Sequence, residues 1–281
     1  MSVLIKYNNN ILKYNTTALA LSGPEPVVLP AYTLRLRYAD NYTPVFDTDY
    51  QKGTMTQVSS SPNIWDWTYI DSNWKAGVRY DATAPNSKLL EVVAAGDTSG
   101  VTDMEQLFSV NYNLTSVPFF DTSNVTVFYS MFRTCNHLTS VPLFDTSSAT
   151  DTALMFDACA SLSSVPLLNT SSVIYMSSMF RGCSSLSTIP LIDTSKVTRF
   201  DDFCNGCTSL SQIPDFDVSS ATTVSSAFKD CSSVTTGILS MYQKLSALGS
   251  QLTNHTACFR NCGSNTVSGA AELAQIPSDW K

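Results

Sequence analysis

The sequence predicts an α/β fold: a leucine-rich-repeat-type solenoid of 24-residue coils, preceded by a small β-rich capping domain. Three ladders of residues predict it. Cys135, Cys159, Cys183, Cys207 and Cys231 stand 24 residues apart. Phe108, Phe132, Phe156, Phe180 and Phe228 keep the same period, with Cys204 in the slot before Phe228. Leu90, Leu114, Leu138, Leu162, Leu186 and Leu210 form the third, continued by Val234. Pro118, Pro142, Pro166, Pro190 and Pro214 run in the same register, as do Asp97, Asp121, Asp145, Asn169, Asp193 and Asp217.

Each part of a coil has a physical reason. In LTSVPLFDTSSATDTALMFDACAS, Leu138-x-x-Val141-x-Leu143 fits a short repeat strand, with Val141 and Leu143 expected inward at period two. The proline in each such strand brings no N–H to a ladder, so the sheet is expected to be short and interrupted there. Asp145-Thr146-Ser147 then turns the chain, because Asp and Ser accept hydrogen bonds from nearby backbone N–H groups. Val173, Met176, Met179, Phe180 and Cys183 follow at three- and four-residue spacing, which predicts one face of a helix. A single coil leaves its apolar side bare, and stacking coils at about 4.8 Å buries it.

The register divides the chain into residues 1–88, 89–235 and 236–281. Residues 1–88 do not repeat and are rich in strand signals: VLIKY and ILKY around Asn8-Asn9-Asn10 read as a hairpin, and TLRLRY alternates as a half-buried strand does. Residues 89–235 hold the repeats. In 236–281, GILSMYQKLSALGSQL reads as an inserted helix. Phe259 to Cys262 then echoes the coil motif 31 residues after Cys231 rather than 24, before a C-terminal cap around Ile276-Pro277.

Composition narrows the function. Net charge is −7 and only 14% of residues are charged. Without clustered Lys and Arg the chain is not expected to bind nucleic acid. No apolar run is long enough for a membrane span, so no membrane insertion is expected. The opening MSVLIKYNNN has no basic stretch followed by an apolar one, so no ordinary export signal is expected.

The chemistry-bearing residues each have a structural explanation. CNGC, at Cys204–Cys207, has the spacing of a redox pair or half a zinc site, yet Cys207 is a ladder residue and Cys204 replaces a ladder Phe. The Asp ladder has the look of a calcium row, but Asn169 replaces one member and the slot suits a turn. Asp201-Asp202 is the only acidic pair in the repeats, and adjacent helical positions face apart. No catalytic residue, metal site or cofactor is therefore expected. Binding is assigned to the outward strand slots Thr139, Ser140, Ser163, Ser164, Ser187 and Thr188, and to Trp65 and Trp67 of the cluster NIWDWTYIDSNW. For those tryptophans a domain core is the competing reading. The row Phe120, Phe144, Leu168, Ile192 and Phe216 is either an exposed interface stripe or a second core layer.

The strings FDTSNVTVFYSMFRTC and LNTSSVIYMSSMFRGC resemble the BspA-like leucine-rich repeats of bacterial surface proteins, over roughly residues 90–235. That resemblance implies a surface adhesin without catalytic residues. The layout of a short β domain, repeats and a C-terminus like AELAQIPSDWK is also similar to proteins of gut Bacteroidetes and their phages. The function expected is a non-enzymatic virion fibre or adhesin component that recognises a bacterial surface receptor, glycan or protein, as a homo-oligomer alongside other virion proteins. The alternatives are a bacterial cell-surface adhesin and a virion scaffold that docks another structural protein.

Overall fold

The computed structural model describes residues 3–7, 10–14, 29–40, 44, 53–69 and 88–281, and for residues 3–14 it describes the strand backbone only. The first two strands, β1 (Val3–Tyr7) and β2 (Asn10–Tyr14), form an antiparallel pair. A four-stranded antiparallel sheet follows, from β3 (Thr33–Tyr38), β4 (Gly53–Ser60), β5 (Asn63–Tyr69) and β6 (Leu89–Ala95), in the order β4-β5-β3-β6. Strand β3 forms because TLRLRY alternates: Leu34 and Leu36 are buried while Arg35 and Arg37 reach Asp66 and Glu91 in ion pairs at 2.7 and 2.9 Å. Two helices close the chain, α1 (Ile238–Ser246) and α2 (Val267–Ala274). No helix among the described residues is long and apolar enough to cross a membrane.

This corrects the expected fold class. The α/β leucine-rich-repeat solenoid is not what the chain forms: among the described residues the strands and α-helices are those of the small four-stranded antiparallel sheet, the separate hairpin and the two helices, and no strand or helix is found in residues 97–236. Both local readings fail for identifiable reasons.

The expected strand fails because its burial period is three. Leu138, Val141 and Phe144 are buried, whereas Leu143 is 40% exposed. Leu162, Val165 and Leu168 repeat the pattern, as do Leu186, Ile189 and Ile192. Burial at every third position does not match the two-residue alternation of a strand, and the proline in each segment has no N–H to give to a ladder.

The expected helix is replaced by a chain of tight turns. Met131, Arg133 and Cys135 donate their N–H groups three residues back, to Phe128, Ser130 and Phe132. The residues between them, Phe128, Ser130, Phe132 and Thr134, donate instead to Asp151, Ala153, Met155 and Asp157 in the next segment, at 2.7–3.0 Å. Two backbones per segment must turn left-handed to allow this. Ser130 and Thr134 have φ 56° and 62°, Leu154 and Ala158 have 58° and 59°, and Ser178 and Gly182 have 58° and 70°. A left-handed backbone cannot continue an α-helix.

The period of 24 therefore shows as contacts between turns. Single-residue parallel bridges join Asp103 to Val127, Val127 to Asp151, Asp151 to Tyr175, Tyr175 to Arg199 and Arg199 to Thr223. Strand β6 leads into them from the sheet, since Thr115 and Val92 exchange backbone bonds with Leu90 and Ser116 across a further bridge.

Side chains bond across the same period. The buried hydroxyls of Thr98, Thr122, Thr146, Thr170 and Thr194 donate to the carbonyls of Asp121, Asp145, Asn169, Asp193 and Asp217 at 2.6–2.9 Å. Phe132, Phe156 and Phe180 stack with centroids 5.8 Å apart and rings within 4° of parallel. The cysteine ladder lies beneath them: Cys159, Cys183 and Cys207 donate their thiols to the carbonyls of Phe132, Phe156 and Phe180 at 3.0–3.1 Å.

After Val234 the spacing changes because α1 intervenes. Its Ile238, Met241 and Leu245 are buried, and Phe259 then stacks on Phe228 at 5.8 Å. Trp280 accepts the Phe259 N–H and lies over His255 at a centroid distance of 4.0 Å. Helix α2 is capped by Thr266, whose hydroxyl accepts the Gly269 N–H and donates to Val234 O.

Candidate functional site

The structure brings the hydroxyl slots together on one open face. Thr139, Ser140, Ser163, Ser164, Ser187 and Thr188 are all exposed. Ser163 spends its hydroxyl on the Thr139 carbonyl at 3.3 Å, and the Ser187 carbonyl accepts the Ser211 hydroxyl at 3.1 Å. Part of this row thus ties neighbouring segments together.

The apolar row Phe120, Phe144, Leu168, Ile192 and Phe216 is not on that face. All five are at most 4% exposed, and Phe120 and Phe144 contact each other and the Phe108–Phe132 stack. The row is a second core layer, because the threefold chain turns those positions inward. The residues one place earlier point out instead: Phe119 (64%), Leu143 (40%), Leu167 (62%) and Leu191 (63%). They lie beside the hydroxyl slots and make one stripe, which the twofold strand reading hid.

The stripe and its hydroxyl slots carry no charge of their own. The segments TSVPF (115–119), TSVPL (139–143), SSVPL (163–167) and STIPL (187–191) contain no ionisable side chain. Along its length the carboxylates of Asp121, Asp145 and Asp193 follow the stripe residues by two positions, and at its ends Glu91 pairs with Arg37 at 2.9 Å and Asp215 with Lys244 at 2.6 Å. Lys244 also donates to the Phe216 carbonyl at 3.1 Å, so the shallow hollow beside Asp217, Ser219 and Leu248 is held by structural bonds.

The tryptophans belong to the small sheet. Trp67 is 3% exposed and stacks on Tyr69 at 4.9 Å. Trp65 is half-buried and donates its indole N–H to Asn63 at 2.8 Å. Both lie opposite β3, across from Leu34 and Leu36. Trp67 is core, and Trp65 is fixed to its own strand. Trp74 lies outside the described residues.

The acidic and thiol groups have structural partners. Asp97, Asp121, Asp145, Asn169, Asp193 and Asp217 each accept the backbone N–H of the Ser two residues on, at 2.9–3.2 Å. The Ser99 and Ser195 N–H groups are the main cause that holds Asp97 and Asp193 below the usual carboxylate range, and the Ser219 hydroxyl does the same for Asp217. A carboxylate whose folded pKa is lowered stabilises the fold above its unfolded pKa and loses that contribution as pH falls through the folded value. Thermal stability is therefore expected to decline as pH falls below about 4. A melting temperature flat from pH 5 to about 2 would contradict this.

Asp201 accepts the Thr223 hydroxyl at 2.7 Å and the Ser225 N–H at 3.2 Å, and Asp202 accepts the Asn205 amide at 2.7 Å. All eight cysteines are free and buried, Cys204 and Cys207 included. Burial raises the thiol pKa at Cys135, Cys159, Cys183, Cys204, Cys231, Cys258 and Cys262. A buried, protonated thiol is a poor nucleophile. Thiol titration is expected to find almost no reaction in the native protein and eight free thiols after denaturation. Fast native labelling, or fewer than eight thiols released, would contradict the packing.

One charged group was hidden by the repeat itself. Asp157 is 2% exposed at its side chain and lies between Arg181, at 2.7 and 2.9 Å, and Arg133, at 3.1 Å. The signal was in the column of residues that follow the Phe ladder: Arg133, Asp157, Arg181, Asn205 and Lys229. One acid stands there between two bases.

No curated protein and no solved structure matches the chain. A family model described as "Mycoplasma protein of unknown function, DUF285" matches residues 80–189 and again 164–268. The matched region includes the segments that resemble BspA-like surface repeats, and the match fits that resemblance loosely, without extending to a phage-fibre layout. Since the two matches span well over half of the sequence, the chain belongs to the family of Mycoplasma proteins of unknown function, DUF285.

Proposed function

We propose that this is a non-enzymatic binding protein of the adhesin type, which docks a protein partner at the bacterial cell surface. The observation that carries this reading is the uncharged stripe of Phe119, Leu143, Leu167 and Leu191, 40–64% exposed and flanked by hydroxyls. Loss of charge at the centre of a surface patch is the compositional mark of an interface. Three of the four residues are leucines, which favours a protein partner over a glycan, since sugar rings are held by aromatic platforms. The commitment of Asp201, Asp202 and the thiols to structural partners supports binding without catalysis.

The test is binding of the purified chain to intact bacteria. Leu167→Asp is expected to weaken it roughly tenfold or more, whereas Tyr175→Asp, at an exposed position outside the stripe, leaves it unchanged. Equal binding by all three proteins would reject the face. Incubation with surface glycans is expected to release no reducing ends, and release that Asp201→Asn or Asp202→Asn abolishes would reject the non-enzymatic reading. Mass spectrometry of the cell envelope against purified phage particles tests the location. Detection in particles alone would move the same binding role to a virion fibre.

A further inference from the structure

We infer that the occupant of this face is a cationic amphipathic helix of the partner protein; the inference rests on reading the stripe as the binding face. The helix lies along the stack, with apolar residues on the stripe and Lys or Arg on a row of aspartates beside it. The two rows share one side of the chain. Phe120 and Thr122 are buried on either side of Asp121, so Phe119 and Asp121 turn outward together. Phe144 and Thr146 do the same for Leu143 and Asp145, and Ile192 and Thr194 for Leu191 and Asp193.

The acid row calls for cations that the chain does not supply. Segments 114–123, 138–147, 162–171, 186–195 and 210–219 contain Asp121, Asp145, Asp193, Asp215 and Asp217 and no Lys or Arg. Lys244 answers Asp215, and Lys196 stands beside Asp193. Among the described residues no cation is within ion-pair distance of Asp121, Asp145 or Asp193, and Arg133, Arg181 and Arg199 pair with Asp157 and Asp201 instead. In each of the three, Oδ1 accepts the N–H of the Ser two residues on, which leaves Oδ2 for a partner. No three such groups converge to hold a metal ion among the described residues. A second copy of the chain would bring the same acids against these, so the row selects a basic partner and repels its own kind.

The spacing selects a helix. Neighbouring segments are bonded through the slots, Ser163 N–H to Thr139 O at 3.2 Å and Ser211 N–H to Ser187 O at 3.1 Å. Such bonds set adjacent segments about 4.8 Å apart. Side chains at i, i+3, i+7 and i+10 of an α-helix advance by about 5 Å on average, so one falls on each of Phe119, Leu143, Leu167 and Leu191. An extended peptide repeats on one face every ~6.7 Å and slips out of register within two segments. The aspartates lie two residues, about 6–7 Å, to one side. Lys and Arg on that flank of the helix reach them while their stems cover the edge of the stripe.

Fluorescence anisotropy with designed helical peptides of about four turns tests this. The probe carries Leu at i, i+3, i+7 and i+10 and Lys on one flank. It is expected to bind the parent, more weakly as salt rises, whereas the same peptide with Glu or Gln for Lys does not bind. Asn169 already makes the turn bond of its row, to Ser171 N–H at 3.2 Å, so Asp→Asn changes keep the turns. The triple variant Asp121→Asn, Asp145→Asn, Asp193→Asn should bind the Lys peptide about tenfold more weakly, and Asn169→Asp about twofold more tightly. Leu167→Gln, which removes apolar surface without adding charge, should also weaken it. Native thiol protection shows that each variant is folded. Equal binding of the Lys and Gln peptides would make the occupant a neutral one and overturn the inference, as would no binding of the Lys peptide. Intact bacteria separate the two claims. If Leu167→Gln loses binding to cells and the triple variant does not, the inference falls and the proposed function stands. If both bind cells like the parent, the face itself is rejected.

Discussion

Phe156→Ala is expected to destabilise the protein by about 3–5 kcal/mol, the range for truncating a fully buried aromatic. Phe156 is fully buried and stacked on both faces, against Phe132 and Phe180 at 5.8 Å. Its carbonyl accepts the Cys183 thiol and its N–H donates to Met179, so the ring's place is fixed by backbone bonds on both sides. The segments cannot close over the lost volume without breaking those bonds, which puts the cost high in the range. Phe156→Leu keeps most of the volume and should lose about 1–2 kcal/mol. Urea unfolding of both variants checks the pair, and equal, small losses would show a loosely packed stack.

The second large effect is at Asp157. Asp157→Ala removes a buried carboxylate that takes three hydrogen bonds from two arginines. The guanidinium groups left behind are 42–48% exposed and can turn to water, so the cost falls below that of a fully buried pair, at about 2–3 kcal/mol. Asp157→Arg should cost more, because it sets three cations in one column beside the Phe stack. A double-mutant cycle of Asp157→Ala with Arg181→Ala is expected to show coupling of about 1 kcal/mol or more. Additive losses would mean that the pair is only a surface contact.

The 24-residue period was legible in the sequence, and so were the turns after each Asp and the burial of the cysteines. Local conformation was not, because two different backbones give the same spacings. Met176, Met179, Phe180 and Cys183 sit at three- and four-residue steps, which suit a helix and also suit consecutive turns whose N–H groups alternate between near and far partners. The missing signal was at the left-handed positions. Gly182 and Gly206 share one slot, and Asp202, Asp230 and Asn261 are of types that accept that backbone more readily than most. The outward stripe was missed by one residue for a related reason. Alternation by two sent Leu143 inward and left Phe144 open, whereas the proline in each segment argued against a ladder. Asp157 is not legible from a ladder, because a ladder shows sameness and the role of Asp157 lies in being the exception between two bases.

Oxidative footprinting of the exposed side chains tests the central claim, that the uncharged stripe is the binding face. Phe119, Leu143, Leu167 and Leu191 should label readily in the free protein and become protected on bacterial cells, while Tyr175 labels equally throughout. Protection at Tyr175 with the four stripe residues still open would contradict the account.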